Sequence, residues 1–510
     1  MVSLRSNTVW LLVCCIAILL PILSFPISPD LATFIISGRS MLDGGLLYVD
    51  VIDVKPPLLY LIVGIVSKVF GGSAISLRLF DLVWQSATLY LLIRLLQKNM
   101  ASPLWTWCTA LLYALLYTSL GHETTIQAET FFALPLLGVL NAVDKPPSWT
   151  RNALIGLLAG AVFLLKYTLG IVAPAAIVYF LLRGEGWKQT VTSAAQMALA
   201  SFVIIGVIVW PMLADPRFIP ALSDMFSYLR VYSPYQSHGL WIVADGLKTT
   251  AGMFGDNLSL MVCIAAAFGL ISSSHRLVYA SAFVGLLLFF TVLLEGKYFP
   301  YHFARLLIPL SIISGAGTAT FLPRLRTLLR ESRWLNRATI GLAMATALLF
   351  SPLPRVANIA VNAVKDLFSS DPLEARFASN PTLGDRYRDN VILGQYLTEH
   401  IQPADHVMSM SALGSPMLST IPTKHVGPFM DSHLYFGVGS RDKWKELAFD
   451  QLRRADWVVV DTKDVAAAVT MHEYTSLQSL QSNKPMSNYV NENFVVTDSI
   501  GRYLVYTRKK

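Results

Sequence analysis

The sequence predicts a polytopic α-helical membrane protein of about eleven transmembrane helices with a C-terminal α/β domain on the outer face. Three observations predict it. Hydrophobic residues fill 54% of 510 positions and charged ones only 14%, where soluble domains carry about 25% charged residues; mean hydropathy is +0.52. Apolar runs of about 20 residues, enough to cross a bilayer, recur as far as Pro354 and then stop. Most of the basic excess behind the net charge of +8 sits in short loops between those runs, the bias that orients membrane proteins rather than one that binds nucleic acid.

Taken in order, the expected spans lie near 8–26, 74–96, 102–120, 128–143, 152–166, 168–183, 191–211, 250–272, 277–294, 303–322 and 338–353. The first follows Arg5 but lacks a small-residue cleavage site, so it reads as an uncleaved anchor rather than a secretory signal. The fifth and sixth are short enough to form a tight hairpin. Pro57 to Phe70 is apolar but short, and reads as lying along or dipping into the interface. With a cytoplasmic N-terminus, the inner loops hold Arg94 and Lys98, Lys145 and Arg151, Arg183 and Lys188, Arg276, and the arginine-rich stretch Pro323 to Arg337. The outer loops hold residues 121–129, a long segment near 212–247, and residues 295–302, which are acidic, aromatic or His-bearing. This charge pattern faces the first loop outward, and the compact loops are those expected of a bacterial inner-membrane protein.

Beyond Pro354 the long apolar runs end. Asp385 to His400 and Arg441 to Arg454 have amphipathic helical spacing, Trp457 to Asp461 reads as a buried strand, and Phe494 to Tyr506 as two strands turning at Ile500-Gly501. The expected division is therefore a membrane domain over 1–354, with a first outer loop at 27–73, and an extracytoplasmic α/β domain over 355–510. An odd number of crossings puts that domain on the same side as the first loop. Four cysteines, all within or beside apolar runs, provide neither a disulfide framework nor metal-ligand spacing.

The chemistry concentrates in Asp30 to Tyr60. Charges are costly at membrane depth, so this charge-rich loop belongs at or beyond the lipid surface. Asp30 has two open roles: a helix N-cap after Ser28-Pro29, or a carboxylate that accepts a proton from a hydroxyl. Lys55, followed by Pro56 and Pro57, is a cation held at the surface, suited to a lipid phosphate as a compact point charge; a lysine that merely snorkels is the alternative. Other outer-loop residues are weaker candidates. His122, Glu123, Glu129 and Lys166 form one group; Lys297, Tyr298, Tyr301, His302 and Arg305 form another. Arg305 stands out in the second because a guanidinium inside a membrane needs a partner. No His–Glu spacing indicates a metal. No phosphate-cradling glycine loop or nucleophile elbow appears.

Together these residues resemble the GT-C glycosyltransferases, and within them the family of protein O-mannosyltransferases and the lipid A aminoarabinose transferase. The resemblance rests on Asp30, on Gly45-Leu46-Leu47-Tyr48-Val49-Asp50, on Lys55-Pro56-Pro57-Leu58, on Leu77-Arg78-Leu79 after Gly71-Gly72, and on residues 295–310. It implies a GT-C membrane enzyme that moves a sugar, hexosyl or pentosyl, from a polyprenyl-phosphate carrier to a glycan, lipid or protein acceptor of the envelope. Asp30 is then the general base of an inverting attack. Lys55, with Arg305 and Lys297, is then near the donor phosphate, and no cofactor is needed, with a divalent cation left open. Many members carry Asp-Glu in the first loop, whereas Leu31 follows Asp30 here. The second acid's role is then lost or moves to Asp50 or Asp53, which join Tyr48 as substrate-binding candidates. A transporter or flippase of lipid-linked glycans is the alternative, but such proteins commonly show internal repeats and midplane charges, and neither is visible here. A structural factor of the envelope would leave Asp30 and Lys55 unexplained.

Overall fold

The structure, a computed structural model, describes residues 2–232, 244, 248, 259–331, 334–368, 384–412, 416–423, 425–466 and 470–509. Each expected span corresponds to a helix: Val2–Leu19, Ala74–Lys98, Pro103–Ser119, Ala133–Val143, Trp149–Leu165, Val172–Leu182, Trp187–Leu213, Leu260–Ser272, Arg276–Glu295, Leu307–Glu331 and Trp334–Leu349. Their ends follow local chemistry. Ser102 caps the third with Pro103 at its first position, Ser148 caps the fifth, and Gly296 at φ 65° ends the ninth in the left-handed conformation.

Among the described residues five helices are long and apolar enough to cross a membrane: Asn7–Ser24, Ala74–Lys98, Trp187–Leu213, Arg276–Glu295 and Pro300–Arg330. A sixth arises if the pair Thr339–Leu349 and Leu353–Phe368, bent by 57°, counts as one span. Others are shorter than the sequence reading required. Leu260–Ser272, at 13 residues, rises only about 20 Å at 1.5 Å per residue. The beginning of the expected 250–272 span, the end of the long outer loop after Tyr232, and Arg333 lie outside the described residues. The expected inner loop at Pro323 is corrected: the Leu307–Glu331 helix runs through Pro323. The alternation of Leu325, Leu328 and Leu329 with Arg324, Arg326 and Arg330 continues a helical period that outweighs one proline.

The chain forms two compact units. One comprises Met1–Phe25, Arg78–Val207 and Gly239–Val364; the other Pro26–Leu77, Ile208–His238 and Lys365–Lys510. The first-loop segment, read from sequence as part of the membrane domain, thus shares a unit with the C-terminal residues. The helical unit has a continuous apolar core that includes Leu89, Leu92, Tyr113, Leu137, Ile155 and Ile312. Within it Asp81 is fully buried and satisfied: Tyr117 Oη lies 2.7 Å from both carboxylate oxygens, and Gln85 Nε2 donates to Oδ1 at 3.1 Å. Burying such a charge without those donors would be costly.

The other unit holds a four-stranded sheet of β1 (Val407–Met410), β2 (Trp457–Asp461), β3 (Phe494–Ile500) and β4 (Tyr503–Arg508), in the order β1-β2-β4-β3. β1 and β2 are parallel and the remaining pairs antiparallel. Val458, Val459 and Val460 are fully buried in β2, as their unbroken apolar run implies. The expected helices are present as Gly384–His400 and Asp442–Arg454. In the same unit the Pro29–Leu42 and Pro57–Phe70 helices cross at Gly38 and Gly64, where a Cβ on Gly38 would stand 2.6 Å from Gly64 Cα. Arg39 fastens this pair: Nε donates to Ser67 Oγ at 2.8 Å and Nη1 to the Ser419 carbonyl at 3.3 Å.

Candidate active site

Asp30 occupies the first turn of the Pro29–Leu42 helix, but the cap is Ser28, whose side chain accepts from Leu31 N at 3.3 Å. The helix start is therefore capped without the Asp30 carboxylate, which the positive end of the helix dipole still favours. Lys55 Nζ donates to Asp30 Oδ2 at 3.1 Å and lies 4.2 Å from the centre of the Phe34 ring. The lysine side chain is 20% exposed and the aspartate 41%. The two most prominent sequence candidates thus form one ion pair.

The loop before Lys55 is built to hold it. Asp50 Oδ2 accepts from Leu46 N at 2.8 Å, and Tyr48 N donates to Val51 O at 2.7 Å, closing a tight turn with Tyr48 at φ 68°. Tyr48 Oη then donates to the Lys55 carbonyl at 2.9 Å. Tyr60 Oη accepts from Lys55 N at 3.1 Å and donates to Asp53 Oδ2 at 2.7 Å. Ile52 N donates to the Pro428 carbonyl at 2.9 Å. Tyr48, Asp50 and Asp53, read from sequence as substrate-binding candidates, all make hydrogen bonds within this loop. Beside them the Phe218–Tyr232 helix stacks Phe218 on Tyr48 at 5.9 Å and brings Arg217 to 3.8 Å from Asp50. Burial, with the charges of Asp30, Asp53 and Asp431, pushes the Tyr232 phenol well above its usual range. Phe34, Tyr60 and Tyr232 escaped the sequence reading; the i, i+4 spacing of Asp30 and Phe34 was the available signal.

A second constellation lies in the helical unit. Glu129, Lys166, Glu295, His302 and Arg305 come from four separated segments into one buried cluster. Arg305 Nη2 lies 3.0 Å from Glu129 and 3.1 Å from Glu295, while Nη1 reaches Glu295 at 2.9 Å and Thr291 Oγ1 at 2.6 Å. Lys166 pairs with Glu129 and, at 2.8 Å, with Glu295; His302 Nδ1 is 3.3 Å from Glu295. Tyr301 lies edge-on to His302, with Lys166 Nζ 5.7 Å from its ring centre. Tyr298 is buried at φ 50° in the turn that also carries Lys297. Glu295, the hub, is not among the sequence candidates, although an acid ending a long apolar run is itself a signal. The sequence shows no metal spacing, yet folding brings ligand atoms of Glu129, Glu295 and His302 within 4.8 Å of one another. Lys166 and Arg305 already balance the two carboxylates, so a dication would have to displace them.

His122 and Glu123 stand apart from that cluster. The His122 carbonyl accepts from Arg78 Nη2 at 3.3 Å, its ring meets Phe25 edge-on at 6.5 Å, and Glu123 is 3.8 Å away and exposed. Burial, reinforced by the Arg78 and Arg355 charges, pushes the His122 imidazole down to about 3.

The family model of dolichyl-phosphate-mannose-protein mannosyltransferase matches residues 54–212. That segment opens one residue before Lys55 and contains Glu129 and Lys166, while Asp30 precedes it. No curated protein matches the chain. Among solved structures, ArnT from Cupriavidus metallidurans bound to undecaprenyl phosphate aligns over 98% of this chain and 97% of its own, at 14% identity and a TM-score of 0.60. Its apo form aligns over 99% and 98%, at 12% identity and a TM-score of 0.55. The chain is thus an integral membrane protein with an ArnT-like fold. Over residues 54–212 its sequence resembles the dolichyl-phosphate-mannose-protein mannosyltransferase family.

Proposed function

We propose that the protein is a membrane glycosyltransferase that moves a sugar from a polyprenyl-phosphate carrier to an envelope acceptor on the outer face, with inversion. The observation that carries the reading is the Asp30–Lys55 pair, 3.1 Å apart in a loop fastened on both sides of Lys55. The match of residues 54–212 to the mannosyltransferase family and the undecaprenyl phosphate bound to ArnT support a lipid-phosphate donor.

In this mechanism the donor phosphate draws Lys55 away from Asp30 and takes its charge. Asp30 then accepts the acceptor's hydroxyl proton as that oxygen attacks the anomeric carbon. The bond from the anomeric carbon to the phosphate oxygen breaks, and its electron pair leaves on polyprenyl phosphate. Lys55 stabilises the charge that grows there, the kind of preorganised electrostatic term that weighs most in such transfers. The Glu129–Lys166–Glu295–Arg305 cluster, with its charges matched internally, serves as a scaffold of the helical unit.

The test uses a deletion strain of the source organism complemented with wild type or Asp30→Asn at matched membrane levels. Mass spectrometry reads envelope glycans and lipid-linked sugars together. The proposal expects one glycan to lose a sugar in the mutant while its polyprenyl-phosphate donor accumulates. Full restoration by Asp30→Asn would remove the base assignment.

A further inference from the structure

We infer that Tyr60, Asp53 and Tyr48 are positioning residues that set Lys55 for the donor phosphate by fixing its backbone. The inference rests on the role proposed above for Lys55.

A flexible lysine binds a phosphate poorly unless its stem starts from a fixed point, because ordering a long side chain costs entropy. Here the fixed point is unusually complete. Tyr60 Oη accepts the Lys55 N–H at 3.1 Å, and Tyr48 Oη donates to the Lys55 carbonyl at 2.9 Å. Both polar groups of one residue's backbone are therefore held by tyrosine hydroxyls, and Pro56 and Pro57 restrict the backbone on its C-terminal side.

Tyr60 is oriented in turn. It is fully buried, and its hydroxyl proton goes to Asp53 Oδ2 at 2.7 Å, leaving the oxygen to face the Lys55 N–H. Asp53 is 7% exposed, and its other oxygen accepts from Val54 N at 2.6 Å. The carboxylate thus points inward to Tyr60 and the backbone. Tyr48 gives an independent sign of the same design. It sits at φ 68°, where an aromatic residue is strained and glycine is not. A turn alone would favour glycine. The hydroxyl that reaches Lys55 is what the side chain adds. With the backbone held, the ammonium starts from a defined place, over Phe34 and against Asp30.

The experiment measures binding of undecaprenyl phosphate to the full chain in nanodiscs, for wild type, Lys55→Met, Tyr60→Phe, Tyr48→Phe, Asp53→Asn, Asp53→Ala and the double variant Tyr60→Phe/Lys55→Met. Tyr60→Phe is expected to weaken binding about 5- to 10-fold and Tyr48→Phe somewhat less. Asp53→Asn, which keeps one acceptor oxygen, should fall between wild type and Asp53→Ala. The distinguishing result is the double variant, which should bind no worse than Lys55→Met alone, since a residue acting through Lys55 has nothing left to act on. If Lys55→Met binds like wild type, the proposed donor role of Lys55 fails. If Lys55→Met weakens binding while Tyr60→Phe and Tyr48→Phe do not, or if the double variant loses the two effects independently, the positioning inference fails and the role of Lys55 stands. Tyr48→Phe keeps the inference testable should Tyr60→Phe fold poorly, because its ring still stacks on Phe218.

Discussion

At the residue scale, the hydrogen-bond partners separate groups that composition alone leaves equivalent. Ser28 caps the helix, so the Asp30 carboxylate is not needed as the cap and instead meets Lys55. Asp30→Asn keeps the shape of the side chain and removes its basicity. Transfer is therefore expected to fall about 10²- to 10⁴-fold, the range of general-base catalysis, while undecaprenyl phosphate still binds; single-turnover assays beside binding isotherms check both. His122 allows a pH prediction. Its folded pKa of about 3 lies below the unfolded value, so the unfolded chain binds more protons between those values and stability falls as pH drops from about 6.5 towards 3. Between pH 7 and pH 5 wild type should lose about 2 kcal/mol more than His122→Gln, at about 1.4 kcal/mol per pKa unit. Thermal unfolding of the detergent-solubilised protein at the two pH values measures the difference.

At the scale of elements, two close arrangements carry the packing around the candidate residues. The Pro29–Leu42 and Pro57–Phe70 helices approach until Gly38 and Gly64 touch backbone to backbone. Gly64→Ala should therefore force them apart and destabilise the unit by about 1–3 kcal/mol, the usual cost of overpacking. A lowered unfolding temperature, with Gly186→Ala as a control for glycine replacement outside that contact, reports it. The buried cluster behaves in the opposite sense. Glu129→Ala leaves Lys166 and Arg305 facing Glu295 with an unmatched charge, and removing one partner of a buried pair costs about 3–5 kcal/mol. Pairing it with Lys166→Met restores the balance, so the double variant should be more stable than Glu129→Ala alone in the same unfolding assay.

For the whole molecule, the helices were legible because apolar runs and charged loops obey simple rules, and so were β2 and the β3–β4 turn at Gly501. Span length was less legible: hydropathy marks an apolar run but not where a short 3-10 stretch, as at Tyr167–Ile171 or Pro300–Leu306, interrupts it. The membership of the two units was not legible at all, because segments far apart in sequence share each one. In the candidate site, Asp30 and Lys55 stood out by placing charges beside an apolar span. Tyr60 and Glu295 did not, since their importance lies in partners that only folding supplies. The central claim is that Asp30 and Lys55 carry sugar transfer from a polyprenyl phosphate. The most direct measurement incubates the purified protein with the lipid-linked sugars and envelope acceptors extracted from the deletion strain, and counts free polyprenyl phosphate against newly glycosylated acceptor. Wild type should release the two in equal amounts, and Asp30→Asn should release neither while remaining folded. Equal release by Asp30→Asn, or no release by wild type, would contradict it.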